Sequence, residues 1–363
     1  MNILSNSIII RGHRIPSRCF LAPINTGYAE KGNPSRLLIN FHSARSGKDI
    51  GISFLGTTAI SRDTVLNENT LVLDNQADLN SFRELSDCIR RKGSLPGIQL
   101  SCRLTKMIPA KAWRSRYVKN FIDSVKDEIS SYSEDTFNKI SENFYGSISL
   151  AAKTGYEVVQ LHAAHGYLLS LLLSPIFNVR KDKFGFPTCN LFFDIVEKTR
   201  QSFPNIILSV RLNCIYGLED KNKELKRTVR IARRLFEIGV DLIDFSAGVY
   251  DINKYRIYPS ISGGHACYFP YALRIRREIG NDSGIISFAG NVWDLEKIDN
   301  DLVDNMAVSV GRSLIADPQF VSKYFDNHQE EIILCKREKT CPCHYFSNGS
   351  SHIECVMNKN QGQ

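Results

Sequence analysis

His162, His165 and Tyr167 place two imidazoles and a phenol within six residues, in the run EVVQLHAAHGYLLSLLLSPIFNVRKDKFG at 157–185. Two neutral imidazoles can both donate hydrogen bonds to one oxygen. A phenol with a pKa of about 10 stays protonated at rest and can still give its proton to carbon. Together they suit a reaction in which negative charge collects on a carbonyl oxygen and a proton arrives beside it. A single histidine next to a core strand is more often a satisfied structural residue. Two of them with a tyrosine, leaving the scaffold at one point, favour chemistry.

What must position them is a strand, a turn and a helix. Val158, Val159 and Leu161 suit a buried strand that ends near His162. Gly166 permits a tight turn. Leu168 to Leu173 then suit a short apolar helix, which Pro175 would stop. The run also fits HxAHGYLLxxxLSPxxNxRxDxxG at fourteen fixed positions, from His162 through Arg180 and Asp182 to Gly185. That pattern resembles the old yellow enzyme family of FMN-dependent ene-reductases. The usual continuation, GGSxENRxRF, is altered here, and Leu191 stands at the family's arginine.

The resemblance extends to other strand-like runs. FLAPINTGYAEKGNP, from Phe20, is similar to the family's first strand and turn. The resemblance implies that Pro23 and Ile24 lie against the isoalloxazine and that Asn25 sits near a flavin carbonyl. The second run, 51–61, is similar to GLIITEGTAVS, with Gly56 where Glu is common and Thr57 at the small position that abuts the flavin. The third, 95–100, resembles QLxHxGR. It implies that Gln99 hydrogen-bonds the flavin pyrimidine edge, while Cys102 replaces the histidine.

A fifth run, 206–212, is apolar except for Arg211 near its end, which needs a partner if buried. The resemblance implies that Arg211 faces flavin N1 and O2. A sixth run covers 241–246, followed by a loop with His265, which reads as an exposed loop histidine. The seventh, 285–291, ends in a small-residue turn. The eighth, 306–312, continues much like the family's GRxLxADP. Phosphate sites after strands seven and eight are a general barrel feature, with backbone N–H groups facing the anion. Gly290 and Gly311 permit close approach there, Asn291 in the same turn is a further cofactor-binding candidate, and Arg312 supplies charge.

Eight strand-like runs, mostly separated by helical patterns, give an α/β fold: a single (β/α)8 TIM barrel with a C-terminal Cys-rich extension. Every candidate falls at or just after the carboxyl end of its strand, where barrel active sites lie. Residues 104–130, with Lys106, Lys111, Arg114, Arg116 and Lys119, read as a long loop over the mouth. Ser133 reads as the N-cap of a helix running to Gly155.

A chain of 363 residues holds one such barrel of about 250 residues with insertions, and 43% apolar residues support its core. The charge of +8, from 46 basic and 38 acidic residues, is modest and is no nucleic-acid footprint. No run looks like a signal peptide or a membrane span, which predicts a cytoplasmic protein. Ten cysteines then argue for thiols or metal ligands rather than disulfides.

The expected division is a barrel at 1–334 and an extension at 335–363 holding Cys335, Cys341, Cys343 and Cys355. Four thiolates are the right set for an iron–sulfur cluster. Zinc would accept the same four, or His344 in place of one; four ordinary thiols is the third reading. The tail resembles the 2,4-dienoyl-CoA reductase branch of the family, which implies a [4Fe–4S] cluster. Its closing CVMN and the gap from Cys343 to Cys355 agree, whereas CxxxxxCxC replaces CxxCxxxC.

The resemblance implies non-covalent FMN, NAD(P)H or a redox partner protein as electron source, and a small unsaturated carbonyl substrate. Hydride would pass from reduced flavin N5 to the alkene, with His162 and His165 on the carbonyl oxygen and Tyr167 as the proton donor. The alternatives are a redox-neutral isomerase or dehydrogenase on the same residues, or a flavin-binding module without turnover. Oligomeric state stays open.

Overall fold

The computed structural model describes residues 3–65, 67–104, 115–280, 283–336 and 352–358. Eight parallel strands close on themselves: β1 (Cys19–Ile24), β2 (Ile52–Ala59), β3 (Leu95–Ser101), β4 (Val158–Ala163), β5 (Ile207–Ile215), β6 (Leu242–Ala247), β7 (Ile285–Phe288) and β8 (Met306–Val310). Each pairs with its neighbours in the chain, and β8 returns to β1 to complete the barrel. The expected strands are therefore all present, with ends moved by a few residues.

Side chains alternate across each strand. On β4 and β5, Val159, Leu161, Leu208 and Val210 join the large apolar layer beneath the helices. The opposite face turns into the barrel, and there composition changes with height. At the start of the strands Phe20, Ile52, Phe54, Val158, Ile207 and Leu242 form a separate apolar cluster. Ile15 joins it, and Ile8 and Ile10 pack against it. These come from an antiparallel hairpin, Ile8–Ile10 with His13–Ile15, that closes the amino-terminal end of the barrel. Higher up, the inward residues become polar, and the site begins.

Helices α1 (Arg36–Arg45) and α2 (Leu79–Lys92) follow the first strands. The 104–130 region is corrected. From Ser115 it is a helix, α3 (Ser115–Ser131), not a loop. Tyr117, Phe121, Val125 and Ile129 recur every four residues and are all buried, a stripe that drives an amphipathic helix. The cations before it hid that period. Residues 105–114 lie outside the described residues.

In α4 (Glu134–Lys153) the Ser133 side chain accepts from the Thr136 N–H at 3.1 Å, the predicted N-cap. The short apolar helix is α5 (Leu168–Leu172). In α6 (Asn190–Ser202), Leu191 is buried, so an apolar contact stands where the family pattern has an arginine. Then come α7 (Lys221–Glu237) and α8 (Tyr250–Ile257). The tail piece 352–358 is docked on the mouth. The Ile353 N–H donates to the Thr26 carbonyl at 2.8 Å, Tyr28 Oη donates to the Ile353 carbonyl at 3.0 Å, and Asn358 Nδ2 donates to the Ile315 carbonyl at 3.1 Å.

Candidate active site

Register assembles the site. His162 on β4 pairs with Arg211 on β5, and Arg211 pairs with Asp244 on β6, so three inward side chains meet at one height. Arg211 Nη1 donates to Asp244 Oδ2 at 2.5 Å, and Asp244 Oδ1 accepts from Ser287 and Ser309, each at 2.9 Å. The partner that a buried Arg211 requires is thus a fully buried carboxylate with its own donors. One layer below, Thr57 Oγ1 donates to Gln99 Oε1 at 3.2 Å, Gln99 Nε2 donates to Gln160 Oε1 at 2.7 Å, and Gln160 Nε2 donates to Ser209 Oγ at 3.0 Å. This chain settles the Gln99 amide orientation. It leaves one N–H and one lone pair of that amide for a ligand.

The predicted trio comes together. The His162 and His165 rings lie 5.1 Å apart edge to face, and the Tyr167 ring lies 4.3 Å from His162. His165 takes a left-handed backbone, φ +63°, ahead of Gly166 at +84°. That rare conformation for a side-chain-bearing residue is held by Asn213, whose Oδ1 accepts the His165 N–H at 3.3 Å, and by the Tyr250 N–H on the His165 carbonyl at 3.0 Å. His165 Nε2 meets Ser246 Oγ at 2.7 Å. Burial pushes the His162 pKa well below the usual range, helped by Arg211 and Arg103. Burial does the same at His165, helped by His162 and Arg211. Both imidazoles are therefore neutral. Burial raises the Tyr167 pKa, with Arg103 and a Thr57 hydrogen bond pulling against it, so the phenol keeps its proton.

All thirteen residues predicted for catalysis and cofactor binding line one open cavity at the carboxyl ends of the strands. Its wall fits a flavin. Asn25 Nδ2, His162 Nδ1 and Arg211 Nε are buried without a hydrogen-bond partner among the described residues. A planar heterocycle rich in carbonyl and ring-nitrogen acceptors would meet the Asn25 amide and the Arg211 guanidinium, which leaves the His162 imidazole for a second ligand. The Asn25 Oδ1 accepts from the Gly27 N–H, which directs its amide donor inward. At the other end a Cβ on Gly311 would find nothing nearer than Ala22 at 3.9 Å, so the backbone there is bare to the cavity. Asn291 and Arg312 are joined at 3.0 Å beside it.

Several lining residues escaped the sequence reading: Arg103, Tyr250, Ile257, Tyr258 and the tail residues Lys336 and Ile353. Arg103 could have been found, since it lies two residues past the third strand's carboxyl end. His265 is corrected: its ring packs on Trp293 at 4.6 Å and is half-buried, not exposed. Cys102, at the family's histidine, is buried; burial and then Glu128 push its thiol up to about 12. Cys335 and Cys355 sit on the cavity wall. Cys341 and Cys343 lie outside the described residues.

Fold and site together define a (β/α)8-barrel enzyme with a built site at the carboxyl mouth. The chain belongs to the NADH:flavin oxidoreductase / NADH oxidase family, which it matches over residues 6–331, and is an NAD(P)H-dependent flavin oxidoreductase of the old yellow enzyme type. It is 25% identical over 323 residues to an NADPH dehydrogenase of Geobacillus thermodenitrificans, covering 87% of this chain and 92% of that one. It is 26% identical over 297 residues to an NADPH dehydrogenase of Listeria monocytogenes, covering 79% and 84%. Among solved structures, a 2-naphthoyl-CoA reductase complex is similar with TM-score 0.83 and 17% identity, over 99% of this chain and 57% of that chain. The old yellow enzyme homologue of Zymomonas mobilis is similar with TM-score 0.68 and 16% identity, over 89% and 92%. At these identities the structural likenesses are likenesses of fold. No described helix is long and apolar enough to cross a membrane.

Proposed function

We propose that the protein reduces the carbon–carbon double bond of an α,β-unsaturated carbonyl compound. The observation that carries this reading is the pair of neutral imidazoles 5.1 Å apart, with a protonated phenol 4.3 Å from one of them, on the wall beside Arg211. FMN, when bound, supplies the hydride for the β-carbon, drawn from NAD(P)H.

Gln99, Asn25 and Arg211 would hold the flavin's polar edge, with Pro23, Ile24 and Thr57 against its ring. Gly290, Asn291, Gly311 and Arg312 would hold its phosphate. His162 and His165 would donate to the substrate carbonyl oxygen and stabilise its charge as it develops. Tyr167 would pass its proton to the α-carbon. In the same proposal residues 1–334 are the barrel, and 335–363 an extension whose four cysteines hold a [4Fe–4S] cluster near the flavin.

Rapid anaerobic mixing tests this. NADH or NADPH is expected to bleach the yellow protein, and a cyclic enone to restore its colour. Tyr167→Phe is expected to slow the second step by about 10²–10⁴-fold while the first stays near wild type. If both steps fall together, Tyr167 is structural. Enone rearranged without nicotinamide would point to the isomerase, and protein that ignores added FMN would overturn the reading.

A further inference from the structure

We propose that Arg103 and Asp251 are positioning residues for Tyr167: Arg103 holds the phenol and balances the phenolate left by proton transfer, and Asp251 sets Arg103. The inference rests on Tyr167 being the proton donor. Arg103 leaves the scaffold two residues after β3, and its guanidinium carbon lies 5.5 Å from the Tyr167 ring centroid. Against the upward push of burial, the Arg103 charge draws the phenol's pKa down. The Arg103 side chain is 10% exposed, so water screens it little.

Among the described residues, the carboxylate that Arg103 meets is Asp251, in the first turn of α8, with Nη2 at 3.5 Å from Oδ2. A charge-assisted bond of this kind is normally about 2.7–2.9 Å. At 3.5 Å Asp251 takes part of the guanidinium's field and leaves the rest for the phenol. Arg211 differs, since Asp244 meets it at 2.5 Å. Of these two cations Arg211 is tightly paired and Arg103 loosely paired, and the loosely paired one faces the phenol.

The groups facing Tyr167 come from four directions: Thr57 on β2, Arg103 after β3, His162 on β4, and Tyr250 with Asp251 on α8. His162 is neutral. Among the described residues, that leaves Arg103 and Asp251 as the charges that decide how readily the phenol ionises. In the step itself the Tyr167 O–H bond breaks and a C–H bond forms at the α-carbon. The phenolate pair stays on oxygen beside Arg103 until water returns a proton, and nothing at these residues is oxidised or reduced.

The two charges predict opposite shifts. Arg103→Met removes a cation and is expected to move the ionisation of Tyr167 upward by about one pH unit or more. Asp251→Asn removes an anion and is expected to move it downward. Arg103→Lys keeps the charge without the fork and should fall between wild type and Arg103→Met, which also covers a poorly folding methionine variant.

Ultraviolet difference titration of the FMN-loaded protein, each variant against the same variant carrying Tyr167→Phe, reads this ionisation directly. The alkaline limb of the alkene step should move with it in each variant. Titrations that stay put, or shift in the same direction in Arg103→Met and Asp251→Asn, would overturn the proposal. Opposite titration shifts with an unmoved alkene profile would uphold the electrostatic link and overturn Tyr167 as the donor.

Discussion

At Gly56 a single hydrogen atom decides the geometry of the site. An added Cβ would lie 1.8 Å from the Ile24 carbonyl oxygen, in the backbone of the neighbouring strand. This close approach carries the end of β1 inward and brings Asn25 to the cavity wall. Gly56→Ala must push that strand end away, since a backbone carbonyl cannot yield as a side chain can. The expected result is a loss of about 3 kcal/mol or more in urea unfolding, together with weaker FMN binding by fluorescence titration. Unchanged FMN affinity would show that the β1 end contributes little to the cofactor site.

Among the elements, the tail has the largest consequence. Cys335, Lys336, Ile353 and Cys355 line the same cavity as Gln99 and Arg211. The described tail residues therefore form part of the wall of the site. Protein isolated without oxygen is expected to carry iron and acid-labile sulfide, and Cys355→Ser to remove both. Because Cys355 is on the cavity wall, that variant is also expected to bind FMN more weakly. About one zinc with no sulfide would make the tail a structural staple; neither metal would leave four ordinary thiols.

For the whole molecule, buried neutral histidines set the acid limit. His42 on α1 is buried with its Nδ1 3.0 Å from Ser53 Oγ, and burial, then Arg45, pull its pKa down to about 3. His162 and His165 are lowered in the same way, by burial first. Each depressed value means that the unfolded chain binds a proton the folded chain refuses. The stability these groups contribute is full above the ordinary histidine pKa of 6.5 and falls as the pH drops below it. Each histidine should add about 1.4 kcal/mol per pH unit to that slope. Urea unfolding of FMN-free protein between about pH 6.5 and 5, above the carboxylate range, is the measurement. His42→Gln should reduce the slope by one proton. A flat profile would mean that the three rings are protonated in the fold.

The chain by itself determined the eight strands, the fourteen-position run around His162 and the strand ends where the thirteen catalytic and cofactor candidates sit. Those signals are local: β-branched runs, a glycine at the turn, a proline at the stop, and a spacing read along one stretch. It also determined the N-cap at Ser133, since a cap is a contact three residues long. Tertiary structure alone decided which charges meet. Arg211 finds Asp244, and Arg103 finds Asp251 148 residues away. It also decided that the hairpin plugs one end of the barrel and that part of the tail lines the other. These depend on register and closure across the whole barrel, where one residue of slip would turn every inward side chain outward. No window of sequence contains both partners of such a contact.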